Sequence, residues 1–80
     1  MQLRSEIVEL IMRFARQIAA HDALIAEATQ CFEMLETMGD KQCKRILQET
    51  ITARRSEVVD MRRTISRLAN LLADMPIEAI

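Results

Sequence analysis

Eighty residues with a formal net charge of −1 leave room for one domain and lack the positive field that draws a protein to nucleic acid or an anionic membrane. Half of the residues are hydrophobic, which excludes disorder by composition. Two phenylalanines, one glycine and one proline are too few for a sheet, whose strands need aromatic residues and closely spaced turn residues. An all-α chain is expected, with one turn and one stop.

The first predicted helix covers about residues 4–38. Ile7, Ile11, Phe14, Ile18, His21, Ile25, Ala28, Phe32 and Leu35 alternate at spacings of four and three. That is a heptad seam, with His21 as its one polar member. Leu10, Leu24, Cys31 and Met38 run along one side of the seam. Met12, Ala15, Ala19, Ala20, Ala23 and Ala26 occupy much of the remaining surface. A single helical neighbour covers only the narrow seam, whereas a bundle needs a wider apolar stripe. These flanking residues are therefore expected to be covered by a second copy or by another helical protein. The alanines admit close approach of that partner.

Gly39 follows the first pattern, where a helix end favours a residue that tolerates positive φ. Asp40 is next and suits the N-cap of a second helix. A two-residue turn enforces antiparallel packing. The second predicted helix covers about residues 41–75. Its seam is Leu47, Ile51, Arg54, Val58, Met61, Ile65, Leu68, Leu72 and Met75, with Arg54 as the polar member. The two seams meet in register across the turn: Phe32 opposite Leu47, Ala28 opposite Ile51, Ile18 opposite Met61, Ile7 opposite Leu72. Gln48, Arg55 and Arg62 flank one edge of the second seam, and Thr50, Glu57 and Thr64 the other, so this helix reads as the outer one. Pro76 stops it. Residues 76–80 form a short tail, whose Ile77 and Ile80 are apolar enough to pack back.

Charge is divided between the halves. Residues 1–40 carry seven acids and three bases, and residues 41–80 eight bases and five acids. Opposite net charge favours the antiparallel pairing. Glu9 with Arg13 and Asp60 with Arg63 have the spacing of ion pairs on solvated faces, each worth a few tenths of a kcal/mol, roughly. The bases Lys44, Arg45, Arg54, Arg55, Arg62, Arg63 and Arg67 give the second helix a basic side. Glu49, Glu57 and Asp60 interrupt it, and no aromatic residue is present there to stack on bases. A solvated face is expected.

Candidate reactive groups are few. Cys31 and Cys43 lack the spacing of a zinc or redox motif. They face different levels of the hairpin, too far apart along the axis for an intrachain bridge, and are expected as small buried hydrophobes. His21 faces Val58 and has too few neighbouring ligands for a metal site. It is expected to set register, as single polar seam residues do, with a pH-sensitive contact as the sharper alternative. Arg54 cannot lie unpaired in a seam. It is expected to reach outward or to meet Glu27, Asp22 or a partner's acid. The six methionines are expected mainly as core filler. No phosphate loop, paired carboxylates or nucleophile with a base is present, and a bare hairpin offers no ligand-sized pocket. The chain is expected to be no enzyme and to need no cofactor or metal.

The longest run free of charged residues, Leu68–Ala73, is too short for a membrane span or a secretory signal, so a cytoplasmic protein is expected. Arg13-Phe14-Ala15-Arg16-Gln17, in a hairpin with a two-residue turn, resembles the first helix of the Rop family, plasmid-encoded dimeric four-helix bundles that bind paired RNA loops. The resemblance spans about five residues and implies the bundle architecture. Its RNA-contacting role is not carried over, because Leu10, Ile18 and Ile25 continue the face of Phe14 as core. In size and shape the chain is similar to the small hairpin co-chaperones of type III secretion needle proteins, which implies a hetero-complex. The expected function is a protein–protein interaction module, with a Rop-like dimeric nucleic-acid-binding bundle as an alternative. The module would be a small adaptor, regulator or chaperone-like protein acting through Leu10, Met12, Ala15, Ala19, Ala23, Leu24, Ala26, Cys31 and Met38. The expected assembly is a homodimeric four-helix bundle or a complex with a helical partner.

Overall fold

The computed structural model describes residues 3–75. Helix α1 spans Leu3–Met38 and helix α2 spans Lys41–Asp74. They pack as an antiparallel hairpin 64 Å long and 15 Å across. Neither helix contains a glycine or proline, so nothing interrupts the hydrogen-bond ladder of either. Pro76 and the tail through Ile80 lie outside the described residues.

The turn follows from two side chains. Gly39 adopts φ 75° and donates its N–H to the Leu35 carbonyl at 2.9 Å, closing α1 in the left-handed conformation that glycine tolerates best. A Cβ there would meet nothing within 4 Å, so the constraint is the backbone angle and not space. Asp40 is extended, and its carboxylate accepts the N–H of Cys43 at 3.1 Å. That bond satisfies one of the otherwise unpaired donors of the first turn of α2. At the far end Met75 is extended, at φ −74° and ψ 138°. A residue before proline is driven out of the helical region by the proline ring, which ends α2 one turn after Leu72.

Every seam position of both helices is buried or half-buried. Ile7, Ile51 and Val58 are the most enclosed, at 4%, 4% and 5% exposure. Cross-helix polar contacts report the register along the whole rod. Lys44 reaches Glu36 at 3.9 Å near the turn and lies over the Phe32 ring, 5.3 Å from its centroid. His21 meets Glu57 at mid-rod. At the open end Arg4 donates to the Leu72 carbonyl at 3.2 Å, neutralising a carbonyl in the last turn of α2.

Several sequence expectations are corrected. Cys31 and Cys43 are both exposed and free. Cys31 stands one row outside the seam and Cys43 in the first turn of α2, and a lone partner helix covers only the seam. Met12, Met34 and Met38 are likewise exposed and fill no core. Glu9 and Arg13 make no ion pair among the described residues, while Arg63 and Asp60 lie at 3.9 Å.

Candidate interaction face

One side of the hairpin is apolar and open. In α1 the row beside the seam reads Leu3, Leu10, Gln17, Leu24, Cys31 and Met38, one residue per heptad. In α2 the corresponding row reads Cys43, Thr50, Glu57, Thr64 and Leu71. The rows run side by side, because Leu24, Cys31 and Thr50 share a groove of about 250 Å³ with Ala28, Ile51 and Arg54. Glu57 is the single charged residue in either row. Leu3, Leu24, Leu71 and Met38 are about half exposed or more, at 58%, 47%, 50% and 74%.

The opposite side is different in kind. Its α1 row is Val8, Ala15, Asp22, Thr29 and Glu36. Asp22 lies 3.9 Å from Arg62, and Glu36 lies 3.9 Å from Lys44. Cross-helix ion pairs mark this side, beside the exposed Val8 and Met12.

The nine residues expected to meet a partner are all exposed in the protomer. They divide between the two sides. Leu10, Leu24, Cys31 and Met38 lie on the open apolar side. Met12, Ala15, Ala19 and Ala26 lie toward the ion-paired side, and Ala23 points away from α2. Helical geometry prevents all nine from meeting one flat partner. Leu71 and Leu3 extend the open face and were not singled out from the sequence. Leu71 sits beside the α2 seam, where the row before it reads Thr50, Glu57 and Thr64 and gives little periodic signal.

A polar cluster borders the open face. Arg54 Nη1 lies 3.2 Å from His21 Nδ1, and His21 Nε2 lies 3.2 Å from Glu57 Oε2. A guanidinium only donates, so Nδ1 accepts and the ring proton sits on Nε2, donated to Glu57. The imidazole thus bridges the Arg54 guanidinium and the Glu57 carboxylate. Arg54 thus pairs with His21 and forms no ion pair with Glu27 or Asp22, the acids expected from sequence. The imidazole, one turn of α1 from the level of Arg54, supplies the acceptor, and Arg62 engages Asp22. The His21 side chain is only 14% exposed, and Glu57 is 55% exposed.

At the turn, the backbone N–H of Cys43, joined by its thiol, holds the Asp40 carboxyl below the ordinary carboxylate range. The same contact, with the negative charge of Asp40, pushes the Cys43 thiol up. This cysteine is therefore a poor nucleophile at neutral pH. Among the described residues no group of three or more His, Cys, Asp or Glu is placed to hold a metal ion, and no helix is long and apolar enough to cross a membrane. Comparison with protein-family models, with curated proteins and with solved structures finds no match.

Proposed function

We propose that the chain is a non-catalytic protein–protein interaction module that works by burying the open apolar face of α1 against other helices, in a four-helix bundle. One observation carries this reading. The row Leu3, Leu10, Leu24, Cys31 and Met38 presents large side chains to water along the whole of α1, with no charge to solvate it. Full burial of a leucine contributes about 1.5–3 kcal/mol, and exposed apolar surface this continuous marks an interaction site. A small fold also needs the help. Below about 80 residues one core supplies roughly 3–5 kcal/mol at most, and among the described residues only three side chains are well enclosed.

Leu24→Asp tests it. The variant places a charge at the centre of the face, outside the seam, so helix content by circular dichroism stays high while association is lost. Ser56→Asp, on the outward surface of α2, is the matched control and leaves association unchanged. Assembly of Leu24→Asp at wild-type strength contradicts the assignment of the face.

A further inference from the structure

We infer that the face is made for a second copy of this chain, with α1 lying antiparallel on the α1 of its partner over its full length and a two-fold axis passing beside Ala20. The inference rests on the reading of this face as an interface, and its basis is charge register. On the outer rim of the apolar row, one heptad position away, α1 carries Glu6, Arg13, Ala20, Glu27 and Met34. Laying Leu3–Met38 on its own reverse sets Leu3 level with Met38, Leu10 with Cys31 and Gln17 with Leu24. On the rim the same overlap brings Arg13 to within one residue, about 1.5 Å along the axis, of Glu27, and Ala20 to within one residue of its own copy.

A two-fold interface uses each contact twice, so both ends carry an Arg13–Glu27 pair. Ala20 at the axis lets the two backbones approach closely. Other registers are worse. Sliding one heptad in one direction sets Glu6 against Glu27. Sliding the other way sets Arg13 against Met34 and Glu27 against Ala20. A parallel copy sets Arg13 level with Arg13 and Glu27 level with Glu27. Maximal overlap of the apolar row and opposite charges on the rim therefore select one arrangement.

Within the protomer, neither Arg13 nor Glu27 belongs to an ion pair among the described residues. Both charges are available to a partner. The hairpin turns then lie at opposite ends of the dimer, and α2 lies antiparallel to the α2 of the partner, so every neighbouring helix in the bundle is antiparallel.

Charge reversal tests the register, with sedimentation equilibrium as the readout. Arg13→Glu alone and Glu27→Arg alone each create two like-charge contacts and raise the dimer dissociation constant about tenfold or more. The double variant restores the pairs in reverse and returns to wild-type affinity. An equimolar mixture of the two single variants gives a heterodimer in preference to either homodimer. Independently, Ala20→Cys in a Cys31→Ser, Cys43→Ser background forms a covalent dimer under mild oxidation. Single variants that dimerise like the wild type, a double variant that stays weak, absence of the Ala20→Cys cross-link, or a monomeric wild-type chain overturns the inference. Leu24→Asp separates the two levels. If it dissociates a dimer that charge reversal leaves intact, the face stands and the register is wrong. If it leaves the dimer intact, the face itself is wrong.

Discussion

Arg54 and His21, the polar residues that interrupt the two apolar seams, lie against each other at 3.2 Å across the hairpin. Each is the other's reason for being tolerated. Arg54 needs an acceptor inside the seam, and His21, anchored by Glu57 at 3.2 Å, offers its bare Nδ1. Any shift of one heptad along either helix separates them and leaves a half-buried guanidinium without a partner. The pair is therefore expected to specify register at some cost in stability, as buried polar seam residues do.

Removing one member is expected to be worse than removing both. His21→Leu strands Arg54 and costs about 1–3 kcal/mol, the scale of an unsatisfied buried donor. His21→Leu with Arg54→Leu fills the seam and is expected to melt above the wild type while losing uniqueness of register. Thermal melts followed by circular dichroism measure the first effect, and loss of chemical-shift dispersion the second. A double variant less stable than His21→Leu refutes this view of the pair.

The thin core concentrates stability in few side chains. Ile51 is 4% exposed and Ile46, five residues earlier on α2, is 56% exposed. Ile51→Ala is expected to cost about 2 kcal/mol or more, as cavity-forming substitutions do. Ile46→Ala is expected to change stability by under about 0.5 kcal/mol. Urea denaturation of the two variants distinguishes them. Equal losses show that the seam is misassigned.

Asp40 links the turn to pH and to the reactivity of Cys43. Its carboxyl is held below the ordinary value of 3.8 in the folded chain. A group depressed on folding stabilises above its unfolded value and loses that contribution as pH falls through its folded one. Asp40→Ala is therefore expected to lower Tm at pH 7, with the difference from the wild type shrinking below pH 3.8. The same substitution removes the contact and charge that push the Cys43 thiol up, so alkylation of Cys43 by iodoacetamide at pH 8, about the ordinary thiol range, is expected to quicken. Unchanged alkylation shows that Asp40 does not govern the thiol.

The hairpin was legible because few residues decide it. Heptads from Ile7 to Leu35 and from Leu47 to Met75 fix which faces meet, and Gly39 with Asp40 fixes where the chain reverses. The observed seams are those read from the spacing, down to half-buried His21 and Arg54. What escaped was which polar groups find one another. Heptad position says that His21 and Arg54 lie in a seam. It does not say that a long guanidinium spans the offset between their levels more readily than it reaches an acid on the rim. The state of the cysteines was also misread, because burial was assigned by residue type when a two-helix unit encloses little beyond its seam. The open face itself was only partly legible. Leu10, Leu24, Cys31 and Met38 announce it by repeating every seventh residue or a multiple of it, whereas Leu71 has no such repeat around it.

Solution mass, measured by light scattering with refractive-index detection because the chain lacks Trp and Tyr, tests most directly whether the open face is an interface. The expected result is a particle of twice the 9.2 kDa chain that dissociates on dilution. A fully helical, monodisperse monomer that stays thermally stable at every concentration contradicts it, because the row from Leu3 to Met38 then needs no cover.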